Sequence, residues 1–132
     1  MKKHVLMFSM MLSCAAAAIA ACPGNGYMSG ARVSSLLTGL TACSPANCTG
    51  ANCQWQENHQ AGGLLVEQHA GTVADPAETV GTWRVTANTG VITHNYGAGG
   101  SYEYSVNDNG GGSYSFCGGN GEFTFSVKAG RC

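Results

Sequence analysis

The chain has 132 residues, of which 44% are hydrophobic and only 10% charged, with a formal net charge of −1. That length holds one small domain and not two, and its many aromatic and β-branched residues exclude a disordered chain, which pairs low hydrophobicity with high charge. Its few cations are scattered, which excludes the basic face that nucleic acid requires.

Residues 1–21 read as a cleavable signal peptide. Lys2 and Lys3 form the positive start, residues 5–19 an apolar stretch, and Ala18-Ile19-Ala20 a small-x-small cleavage site. The apolar stretch is about 15 residues, short of the roughly 20 that cross a membrane, so no transmembrane segment is expected. Cleavage leaves residues 22–132 as a single domain with four basic residues (Arg32, Arg84, Lys128, Arg131) against seven acidic ones, a net charge of −3. Ile19-Ala20-Ala21-Cys22 also reads as a lipoprotein processing site, so the alternative is a lipid anchor at Cys22. The destination is periplasmic or secreted, or membrane-anchored through Cys22.

Of seven cysteines, Cys14 leaves with the signal. Cys22, Cys43, Cys48, Cys53, Cys117 and Cys132 remain, and an oxidising destination makes them a disulfide framework. Six cysteines permit many pairings. Locality favours Cys117 with Cys132 and Cys48 with Cys53, leaving Cys22 for Cys43. Acylation of Cys22 would strand one cysteine, so parity favours ordinary cleavage.

After a turn-rich start, Val33, Leu36, Leu37 and Leu40 fall on one face of a short helix, with Ser29 as cap and Gly39 as stop. A helix this short does not stand alone; its leucine face must plug an open end of a sheet or cover an edge. Residues 41–53, with three cysteines, Pro45 and Gly50, read as a stapled loop. From Gln54 the period becomes two, predicting strands at 54–59, 64–70, 80–87, 91–96, 101–106, 113–117 and 122–128, separated by glycine- and asparagine-rich turns. The expected fold class is mainly β: an antiparallel seven-stranded meander forming a small barrel or strongly curled sheet, with one short N-terminal helix.

Two sets of residues carry possible chemistry. Glu57-Asn58-His59 and Glu67-Gln68-His69 are both E-x-H, so each places Glu and His on one strand face. A three-residue loop (62–64) would oppose Glu57 to His69 and His59 to Glu67, four ligands suited to a metal such as zinc. A two-residue loop (62–63) sends the pairs to opposite faces and puts Leu64 and Val66 on Trp55's side, which hydrophobicity favours. The second set is aromatic: Trp55, Trp83, Tyr96, Tyr102 and Tyr104 could line a ligand-binding surface, although a small barrel first needs them as core. His94 shares a face with Ile92 and Tyr96 and reads as a hydrogen-bonded histidine in or beside the core. There is no nucleophile elbow, no phosphate cradle and no zinc motif. No catalytic residue and no cofactor are therefore assigned.

Leu36-Leu37-Thr38-Gly39 with Thr41 and Cys43, Trp55-Gln56-Glu57 with His59, Gly81-Thr82-Trp83, Tyr102-Glu103-Tyr104 and Ser115-Phe116-Cys117 together resemble small exported proteins of Gram-negative bacteria that have no assigned activity. Cys48 and Cys53 depart from that pattern. Gly81-Thr82-Trp83, opening a strand of a β-meander, also resembles calycin-type barrels of the lipocalin-like class. Neither resemblance supplies catalytic residues. The expectation is an exported, non-catalytic binding or interaction protein with an unknown protein or small-molecule partner. The alternatives are a calycin-like carrier of a small apolar or aromatic ligand, and a metal-dependent function at Glu57, His59, Glu67 and His69.

Overall fold

The computed structural model describes residues 21–68 and 76–132. Residues 1–20 of the expected signal, and His69 of the second E-x-H motif, lie outside the described residues.

The helix forms where its capping chemistry places it. The Ser29 hydroxyl accepts from the Arg32 amide, and α1 runs Gly30–Leu37 before Gly39 turns the chain with a φ of 79°. Val33 and Leu37 are fully buried. They pack with Met28, Ala42, Ile92, Val106 and Phe125, residues from several strands, so α1 plugs one end of a barrel rather than covering an edge. A Cβ on Gly30 would lie 2.6 Å from the Ala87 carbonyl oxygen, so only glycine lets the helix start this close to the turn at 86–90.

Eight strands follow: β1 Thr41–Ser44, β2 Trp55–His59, β3 Leu64–Glu67, β4 Glu78–Val85, β5 Ile92–Asn95, β6 Ser101–Gly110, β7 Ser113–Gly118 and β8 Gly121–Lys128. Each pairs antiparallel with the next, and β8 pairs with β1, closing the barrel. Closure gives each of the described strands a neighbour on both sides. The expected count of seven is corrected to eight by β1, which lies inside the segment read as a loop. All four β1 residues are buried, so no inside-outside alternation marks the strand in sequence. Its outer face is covered by the chain terminus: Cys43 is bonded to Cys132, whose amide donates to Gln56 Oε1 at 2.9 Å. β6 also runs past its expected end, because a bulge at Asn109 carries pairing on to Gly110.

Three disulfides form, Cys22–Cys117, Cys43–Cys132 and Cys48–Cys53. Locality held only for Cys48–Cys53. The whole of β8 lies between Cys117 and Cys132, and β8 pairs with β1, so Cys132 meets Cys43 of β1 and not Cys117. The Cys22 sulfur is bonded to Cys117 in this structure, and a thioether lipid anchor would need that same sulfur.

The β2–β3 hairpin takes neither expected register. Its loop is 61–63: the Gln60 amide donates to Leu64 O, the Gly63 amide donates to Gln60 O, and Gly63 supplies the left-handed φ of 87°. Glu57 therefore opposes Glu67, and His59 opposes Leu65. Leu64 and Val66 point away from Trp55's side, and Leu64 is 42% exposed.

Candidate functional site

Strand direction divides the barrel into two ends. The helix and the turns at 60–63, 86–91 and 111–112 occupy one end; among the described residues the connections at 45–54, 96–100 and 119–120 lie at the other. At this second end the interior is not filled. A cavity of about 290 Å³ is lined by Trp55 and Glu57 of β2, His94 of β5, the adjoining Tyr96, Tyr102 and Tyr104 of β6, Phe116 of β7 and Phe123 of β8. Eight strands enclose a lumen just wide enough for side chains or one small ligand. At about 30 Å³ for a water's share of liquid volume, the cavity holds roughly ten water-sized groups.

Alternation along each strand brings these side chains together. Ile92 pairs with Tyr104 and His94 with Tyr102, so the inward positions of β5 and β6 stack aromatic rings towards the mouth. Phe116 and Phe125 stack with ring centroids 4.1 Å apart and mark the change from cavity to core. Two rim tyrosines are held by their hydroxyls: Tyr102 donates to the Gly99 carbonyl at 2.8 Å, and Tyr96 donates to both Glu57 carboxylate oxygens, at 2.9 and 2.8 Å.

Glu57 is the carboxyl of this aromatic cavity. Burial raises its pKa to about 7; the Tyr96 hydrogen bond opposes that rise, and Glu67 across the hairpin adds to it. The Tyr96 hydroxyl is pushed well above its ordinary range, by burial and then by Glu57, and so stays a donor.

Deeper in the barrel, His59 and His94 bond through their Nε2 atoms at 3.0 Å, and His59 Nδ1 lies 3.1 Å from the Glu57 main-chain oxygen. A carbonyl only accepts, so His59 Nδ1 carries the proton, its Nε2 is bare, and His94 Nε2–H donates. Protonating His59 would set two N–H groups against each other. Burial, then the neighbouring His94, lowers its pKa to about 3, and burial lowers that of His94 to about 4. The His59 backbone is clamped by the helix exit: its amide donates to Leu40 O, and its carbonyl accepts from the Gly39 amide.

Of the five aromatic residues singled out in sequence, Trp55, Tyr96, Tyr102 and Tyr104 line this one cavity. Trp83 does not; its ring meets His59 edge-on, and its Nε1 donates to the Gln60 carbonyl at 2.9 Å. Phe116, Phe123, His94 and Glu57 complete the wall. Period-two alternation already put Glu57 on Trp55's face, the signal that could have joined it to the aromatic set.

Of the E-x-H residues, Glu57 faces Glu67 and His59 faces Leu65, so His59 does not oppose Glu67; His69 lies outside the described residues. Among the described residues no three His, Cys, Asp or Glu side chains gather so as to hold a metal ion. A second depression, of about 420 Å³, lies beside the helix between Met28, Arg32, Leu36 and Tyr114. Its one charge, Arg32, pairs with Asp108 at 3.3 Å. Compared with protein-family models, with curated proteins and with solved structures, the chain has no match.

Proposed function

We propose that this chain is an exported, non-catalytic binding protein that holds one small aromatic or apolar ligand inside its barrel, in the manner of a calycin-like carrier. The observation that carries this reading is the cavity beneath the open end, with six aromatic side chains and a few convergent polar groups in its wall. A filled interior would have argued for a purely structural barrel. Docking through the outer surface has less support: among the described residues, Leu64 is the large apolar side chain left exposed.

Export is supported by the signal at residues 1–21 and by three disulfides, which persist in oxidising compartments such as the periplasm or the extracellular space. Among the described residues no helix is long and apolar enough to cross a membrane. A non-catalytic role is supported by His59 and His94, which are bonded to each other, His59 also to the Glu57 main-chain oxygen.

The test is calorimetric titration of the purified, oxidised protein with three ligands of one size: 2-phenylethylammonium, 2-phenylethanol and phenylacetate. Saturable one-site binding of any of them supports the reading. Absence of binding by all three overturns it.

A further inference from the structure

We infer that the ligand is a small organic cation, an ammonium group on an aromatic or apolar body, with its positive end on Glu57 and its body among Trp55, Tyr102, Tyr104 and Phe123. This inference rests on reading the cavity as a ligand site.

The charge distribution points to a cation. Among the described residues the wall contains a carboxyl group and no lysine or arginine. Among the described residues the four basic side chains, Arg32, Arg84, Lys128 and Arg131, are all exposed outside the barrel. The histidines add no positive charge at neutral pH, since burial holds both neutral. An anion entering here would meet Glu57 with no cation to offset it.

Hydrogen bonding points the same way. An ionised carboxylate offers about four acceptor sites. Tyr96 approaches each oxygen once, so further acceptor sites on Glu57 remain for the three donors of an ammonium group. Around that position the wall is aromatic, and ring faces attract a desolvated cation through their quadrupole. A neutral apolar ligand would use the rings and leave those acceptor sites on Glu57 unused.

Proton release provides a separate signature. The groups facing Glu57 are Glu67 from β3, His94 and Tyr96 from the β5 side, and Tyr104 with Tyr102 from β6, none of them cationic. Near neutral pH the free carboxyl is partly protonated. Ammonium binding favours the ionised form, so each binding event releases up to one proton, from Glu57 to solvent.

The experiment compares the same three ligands at pH 7, in two buffers of different ionisation enthalpy, with the wild-type protein and Glu57→Gln. The expected result is 2-phenylethylammonium binding at least about tenfold tighter than 2-phenylethanol, the scale of one charge-assisted hydrogen bond. Phenylacetate should bind weakest, proton release should accompany the ammonium only, and Glu57→Gln should erase the preference. If 2-phenylethanol or phenylacetate binds as tightly as the ammonium, the cation inference is overturned and the cavity reading stands. If none binds, both are overturned. The wild-type comparison decides the matter even if Glu57→Gln fails to fold.

Discussion

Acidification should destabilise this protein, and replacing Glu57 with Gln should make that loss steeper. His59 and His94 are neutral in the fold down to about 3 and 4, below their ordinary value of 6.5. Below pH 6.5 the unfolded chain takes up two protons that the folded chain refuses, so their stabilising contribution is complete above 6.5 and shrinks as pH falls. Each such proton is worth about 1.4 kcal/mol per pH unit, or about 2.7 for the pair. Glu57 works in the opposite sense. Its folded value of about 7 lies above its ordinary 4.5, so between those limits the fold keeps a proton that the unfolded chain releases. Acidification through that window therefore favours the fold by about 1.4 kcal/mol per unit. The wild-type protein should lose about 1.4 kcal/mol per unit between pH 6.5 and 4.5, and Glu57→Gln about 2.7. Glu67, Tyr96 and the other groups around Glu57 are common to both proteins and cancel in the comparison. Urea unfolding followed by tryptophan fluorescence, with disulfides intact, measures both slopes. Equal slopes in the two proteins, or a wild-type stability that rises on acidification, would refute this account of the buried groups.

The disulfides should differ in worth. The Cys43–Cys132 link spans 89 residues against 5 for Cys48–Cys53. Paired Cys→Ser variants should lose about 4–5 kcal/mol and about 2 kcal/mol respectively in the chain-entropy model, read from urea midpoints. Peptide mapping without reduction should recover Cys22 joined to Cys117; recovery of Cys117 joined to Cys132 would contradict the structure. Phe116→Ala should cost about 3–5 kcal/mol, because the ring is buried and stacked on Phe125. It should also enlarge the cavity, so that ligands bulkier than 2-phenylethanol bind to the variant and not to the wild type.

Where one chain face meets solvent and the other meets core, the sequence is readable. Ser29, Val33 and Leu37 specify a capped, one-sided helix, and alternation in Tyr102-Glu103-Tyr104 and Phe123-Thr124-Phe125 specifies strands. β1 escapes that logic, since Thr41, Ala42, Cys43 and Ser44 are buried on both faces and leave no period to detect. The hairpin register escapes it too. Moving the loop by one residue, to the position where Gly63 takes its left-handed φ, decides whether Glu57 meets a histidine or Glu67. Four of the five aromatic candidates share a cavity because their strands are neighbours around a closed ring, whereas Trp83 faces in at the helix end beside His59.

Local composition thus determined the elements, the helix face and the supply of six cysteines in residues 22–132. Tertiary structure alone decided which cysteines bond, how many strands close the ring, and that a carboxyl and six aromatic side chains surround one empty space. The physical reason is range. Capping and alternation act within a few residues, but closure joins β1 to β8, more than 80 residues apart in sequence, and the cavity exists only once that ring is shut.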